Sequence, residues 1–196
     1  MFLSHDLTVL LVPGLRDHVA DHWQTLLQAD LEAIGQKVAC VAPLEHDKLS
    51  CAARIVALDH ALAQIDGPVV LAAHSAGVMI TVHWARHMHH HVAAGKIVGA
   101  LLATPADLES PMPPGYPDVA TLDAHGWLPV PRQPLPFPTL LAASRNDPLA
   151  SRERCAAMAC DWGSELVDLG HVGHLNPAAG FGPWPAAPAL LARLAR

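Results

Sequence analysis

Val69-Val70-Leu71-Ala72-Ala73-His74-Ser75-Ala76-Gly77 decides the reading of this chain. Its first five residues are apolar without alternation, as in a strand buried on both faces of a parallel sheet. A helical pattern from Ala76 to about His91 follows at once. Between them Ser75 occupies a sharp strand-to-helix turn, the setting of the nucleophile elbow G-x-S-x-G. Ala73 replaces the first glycine at the cost of one methyl, and Gly77 keeps the second. The plainer reading of Ser75 is a helix N-cap, a position serine favours.

The same rhythm extends in both directions. Leu7 to Val12, Lys37 to Ala42, Ile97 to Ala103, Pro138 to Ser144 and Glu165 to Leu169 are runs of strand length. Helical spacing is predicted over Asp17 to Ile34, from a Ser50 cap to Ile65, from about Pro148 to Asp161, and from Pro188 to Arg196. Strands alternating with helices imply an α/β fold, a three-layer sandwich on a mostly parallel sheet of about six strands. At 196 residues the chain, 1–196, is expected to form one domain.

Hydroxyl attack needs a base, and the base needs an orienting carboxylate. In α/β hydrolases they follow in the order Ser, Asp or Glu, His. Asp147, in Ser144-Arg145-Asn146-Asp147-Pro148, lies just after one strand, and His174, in Gly170-His171-Val172-Gly173-His174, just after the last. Both fall at the sheet edge that carries Ser75, where open α/β sheets place their sites. The rival base is His171, and the rival acids are Asp168 and Asp161. Asp147 also reads as an N-cap with Pro148 at the first helical position.

The oxyanion donors are expected to be the N–H groups of Ala76 and Leu15. Gly14, Arg16, His74 and Trp127 are candidate substrate contacts. Nine prolines between Pro105 and Pro136 make Thr104 to Pro136 a surface excursion. It is either a plain connector or a lid or pocket wall bearing Tyr116 and Trp127.

Charged residues are 15% of the chain and the net charge is −6. That balance offers no footprint for nucleic acid or an anionic membrane. The expected partner is a small-molecule substrate, and composition carries no signal of oligomeric state. No signal peptide is read at the N-terminus, so the expected location is cytoplasmic. Cys40, Cys51, Cys155 and Cys160 form no CxxC pair and read as reduced core thiols. His83, His87 and His91 share one helix face, a spacing that can bind metal. With no acidic or cysteine ligand obviously paired to them, and His89 and His90 beside them, the reading is a solvated helix end with no metal. The chemistry requires no cofactor.

Longer motifs add a resemblance. They are Val12-Pro13-Gly14-Leu15 with His22-Trp23, Ala73 to Gly77 with His83-Trp84, and Ala143 to Pro148. Trp162-Gly163 follows, then Gly173-His174-Leu175-Asn176 with Gly180-Phe181-Gly182-Pro183-Trp184-Pro185. Taken together, the chain resembles the small serine hydrolases related to retinoblastoma-binding protein 9. The resemblance implies a compact α/β-hydrolase fold, a triad at Ser75, Asp147 and His174, and esterase- or peptidase-like hydrolysis. Two stretches depart from it. Pro43 to Lys48 lacks the aspartate- and tryptophan-rich segment many relatives carry. Leu49-Ser50-Cys51-Ala52-Ala53 lacks the glutamate of the L-x-C-x-E motif, so that binding activity is not carried over. The competing class is a catalytically silent binding protein on the same fold.

Overall fold

The computed structural model describes residues 4, 6–17, 19–87 and 95–195. Among these residues six strands, all parallel, form one sheet in the order β2-β1-β3-β4-β5-β6. They are β1 (Thr8–Val12), β2 (Lys37–Cys40), β3 (Val69–His74), β4 (Ile97–Ala103), β5 (Thr139–Ala143) and β6 (Glu165–Asp168). The helices are α1 (Trp23–Ala33), α2 (Cys51–Ala63), α3 (Ala76–His87), α4 (Val119–Ala124), α5 (Arg152–Trp162) and α6 (Ala187–Leu194).

Unbroken apolar strands are explained by cover on both faces. Leu10, Val12, Leu71, Ala73, Ala100 and Leu102 point into a core closed by α2, α3 and α5. Val9, Leu11, Val70, Ala72, Leu101 and Ala103 point the other way, under α1 and α6. This period-2 split is the strand pleat expressed in packing.

Two helices begin later than periodicity suggests. Helix α1 starts at Trp23 rather than near Asp17, because Asp17 adopts a left-handed backbone and His22 caps the helix. The His22 ring accepts the Gln24 N–H at 3.3 Å. Helix α5 starts at Arg152, capped by the Ser151 hydroxyl, so the N-cap reading of Asp147 fails. The Asp147 carboxylate accepts the Leu149 N–H at 2.9 Å in a local turn instead. Helix α3 is seen to His87, and the remainder expected up to His91 lies outside the described residues.

The Thr104 to Pro136 excursion divides its work. Ala106, Leu108, Met112 and Tyr116 line a pocket above Ser75. Trp127 does not, which corrects its assignment as a substrate contact. It is fully buried, its indole N–H donates to the Leu49 carbonyl at 2.7 Å, and its carbonyl accepts the His83 Nε2–H at 3.0 Å. Its size and single polar handle suit a core anchor between the excursion and helices α2 and α3. The excursion is pinned elsewhere by Asp107, whose carboxylate accepts from Nε and Nη2 of Arg154 at 2.9 and 3.0 Å.

Of the histidine repeat, burial lowers the pKa of His83, and His87 Nδ1 donates to the His83 carbonyl. His89, His90 and His91 lie outside the described residues. Cys51 and Cys155 are buried and Cys40 is half-buried, and burial raises the Cys51 and Cys155 thiols to about 12. Cys160 is exposed, against expectation, on the solvent side of α5. Among the described residues no helix is long and apolar enough to cross a membrane.

Candidate active site

From β1 the chain moves outward to β2 and then returns to place β3 on the other side of β1. That reversal opens a crevice at the carboxyl ends of β1 and β3, where α/β sheets bind ligands. Val12 pairs with Ala73 at its rim. Gly14 leaves β1 on one side and Ser75 leaves β3 on the other.

Ser75 has φ of 58°, a left-handed backbone that a residue with a Cβ adopts only under constraint. Its N–H donates to the Ala103 carbonyl at 3.1 Å, and its carbonyl accepts the Val78 N–H at 3.0 Å. The turn is possible because α3 starts hard against β1. A Cβ at Gly77 would stand 2.1 Å from the Val12 oxygen and 2.7 Å from the Pro13 oxygen. Both obstacles are backbone and cannot rotate away. Gly77→Ala is therefore expected to destabilise the fold by about 3 kcal/mol or more, read by urea denaturation. A variant within about 0.5 kcal/mol of the parent would show that the elbow is not tightly packed.

The other two members converge on the hydroxyl. His174 Nε2 lies 2.8 Å from Ser75 Oγ. His174 Nδ1 lies 2.8 and 3.0 Å from the two Asp147 carboxylate oxygens. The side chains of His174 and Asp147 are 6% and 1% exposed, so water competes little for these bonds. His171 is exposed. Asp168 is held by Arg145 at 2.7 to 3.1 Å, and its pKa is pulled down to about 2 by those bonds and by the Gly170 N–H. Asp161 pairs with Arg132 at 3.0 Å. Neither rival acid is at the site.

Several supports were not legible in the sequence. Asn146 Oδ1 accepts the Gly173 N–H at 2.8 Å, and Ser144 Oγ accepts the Val172 N–H at 3.2 Å. The loop after β5 thus holds the loop after β6. His74 Nε2 donates to the His174 carbonyl at 2.9 Å, tying the nucleophile's own strand to that loop. Burial, then the neighbouring rings of His174 and His22, push the His74 imidazole well below its ordinary pKa, so it stays neutral. His74 also lines the pocket, as its assignment as a substrate contact requires. Arg54, buried on α2, donates to Asp17 at 3.0 Å and to the carbonyls of Lys48 and Leu15 at 2.7 and 3.4 Å. It braces the loop that holds the expected oxyanion donor.

Gly14, Leu15, Arg16 and Ala76 line the same pocket. Ala76 opens α3, so its N–H has no carbonyl one turn back to bind. A Cβ at Gly14 would lie 3.2 Å from the Ser75 Cβ and 3.5 Å from its Oγ, so a bare backbone is what approaches the hydroxyl. Arg16 reaches across the mouth, its guanidinium 5.4 Å from the centre of the Tyr116 ring.

Comparison with known proteins bears on the fold and the family. The chain superposes on a YdeN-like hydrolase from Pectobacterium atrosepticum with a TM-score of 0.72 and 32% identity, over 96% of this chain and 89% of that one. The ydeN gene product of Bacillus subtilis gives 0.73 at 18% identity, over 95% and 97%. RedJ, a thioesterase from the prodiginine pathway of Streptomyces coelicolor, gives 0.61 at 15% identity, over 98% and 90%. At such identities the last two show the shared fold. No curated protein matches the chain in sequence. A family model described as serine hydrolase matches residues 9–193, and the chain belongs to that serine hydrolase family.

Proposed function

We propose that this serine hydrolase cleaves a small ester, thioester or amide through an acyl-enzyme on Ser75. The observation that carries the reading is the continuous path Asp147–His174–Ser75, with contacts of 2.8 Å on each side of the imidazole. Ser75 Oγ adds to the substrate carbonyl carbon while its proton passes to His174 Nε2. The carbonyl electron pair moves onto oxygen, and in this reading the N–H groups of Ala76 and Leu15, both of which line the pocket, donate to it. As the carbonyl re-forms, the bond to the leaving group breaks, and His174 returns the proton to that group. Water repeats the sequence on the acyl-serine and regenerates the hydroxyl. Asp147 keeps the Nδ1 proton in place and offsets the imidazolium charge.

The competing reading is a binding protein with the same fold. A fluorophosphonate probe separates the two, because it reacts with an activated serine and spares an ordinary one. The native chain is expected to take up one equivalent, with the mass increase on the peptide containing Ser75, and heat-denatured chain to take up none. Native chain that stays unlabelled would remove the hydrolase reading and leave the binding protein.

A further inference from the structure

Gln24 is the second residue of α1 and is 3% exposed. Its side-chain Nε2 donates to the Ala72 carbonyl at 2.8 Å and to the Val12 carbonyl at 3.2 Å. Both amide hydrogens are therefore spent on the carboxyl ends of β3 and β1. These bonds settle which end of the amide is oxygen, since the flipped group would set oxygen against two carbonyls. Oε1 is the end turned away from them, and Gln24 lines the pocket that opens over Ser75. Among the described residues no donor reaches Oε1. The walls around it are largely apolar, with Leu15, Val19, Ala106, Leu108, Met112 and Leu149. The acidic group in the lining, Asp17, is already paired with Arg54.

Oε1 opens on the pocket, so once a substrate fills that space and excludes water, an acceptor left without a partner costs free energy, and in an apolar surround that cost is large. Its partner has to come from whatever fills the pocket. We infer that Gln24 is a specificity-determining residue, and that the preferred substrate carries a hydrogen-bond donor, a hydroxyl or amide N–H, placed to meet Oε1. The inference rests on the reading of Ser75 as the acylated nucleophile. It discriminates strongly because a substrate lacking the donor leaves a buried acceptor unpaired, which a merely smaller or larger acyl group does not.

Matched ester pairs test it. For a donor in the acyl half, the p-nitrophenyl esters of 3-hydroxybutyrate and N-acetylglycine are compared with p-nitrophenyl butyrate. For a donor in the alcohol half, 2-hydroxyethyl butyrate is compared with propyl butyrate in a pH-stat. Each ratio of kcat/KM is divided by the ratio of the uncatalysed hydroxide rates. At least one donor-bearing ester is expected to win by about tenfold or more. In Gln24→Met the winning ratio is expected to fall to about one. Each ratio is taken within one protein sample, so a lower folded fraction cancels. If the variant does not fold, the parent's ratios decide alone. Should turnover be too slow to rank, the same pairs are ranked by how far they slow fluorophosphonate labelling. All pairs within about threefold, or a preference that survives in Gln24→Met, would overturn the inference. Failure of the probe to label Ser75 is a separate result and strikes the hydrolase reading itself.

Discussion

Ser75→Ala is expected to cut turnover of p-nitrophenyl acetate by about a million-fold, to the level of the oxyanion hole and binding alone. The substitution removes one oxygen and nothing else. The Cβ that sits beside Gly14 remains, and so does the backbone with φ of 58° and its bonds to Ala103 and Val78. The fold should therefore survive, with the melting temperature within about 2 °C of the parent. What is lost is the atom 2.8 Å from His174 Nε2. A general base with no hydroxyl to ionise can still activate water, but without the positioned attack that a tethered nucleophile supplies. Initial rates with purified variant, corrected for buffer hydrolysis, give the answer. A rate within tenfold of the parent would mean that some other group carries the chemistry.

The sheet was legible because its strands are apolar on both faces, and such runs stand out against amphipathic helices. Ser75, Asp147 and His174 were legible for a related reason. Each follows a strand directly, and parallel strands deliver their carboxyl ends to one edge. Side chains that act through distant partners were not legible. Gln24 bonds Val12 and Ala72, 12 and 48 positions away, and His74 bonds the carbonyl of a residue 100 positions on. No local pattern encodes such pairings. The start of α1 was missed because histidine is an uncommon N-cap, and the start of α5 because Asp147-Pro148 imitates a cap so well. Trp127 misled for want of periodicity. In a proline-rich excursion an aromatic residue reads equally as pocket wall or as core, and only its neighbours decide. Here the Leu49 carbonyl and His83 claim it for the core.

Asp147→Asn is expected to lower kcat by about 10⁴-fold while leaving the site's shape intact. The carboxylate accepts three N–H contacts, two from His174 Nδ1 and one from Leu149. An asparagine oxygen can still accept from Leu149, which turns its NH₂ toward His174. Nδ1 must then be the acceptor, so the imidazole proton moves to Nε2. In that tautomer Nε2 points a proton at Ser75 Oγ and cannot take one from it. The negative charge that offsets the imidazolium is gone as well. Because Asp147 does not line the pocket over Ser75, KM should stay within a few-fold and the loss should fall on kcat. Asp168→Asn is the control, since that carboxylate serves Arg145 at the far surface of the loop, and its activity should match the parent. Comparable losses in the two variants would mean that the acid orienting His174 has been misassigned. A near-normal rate in Asp147→Asn would mean that His174 needs no orienting carboxylate, and with it the case for a serine ionised through this path would fall.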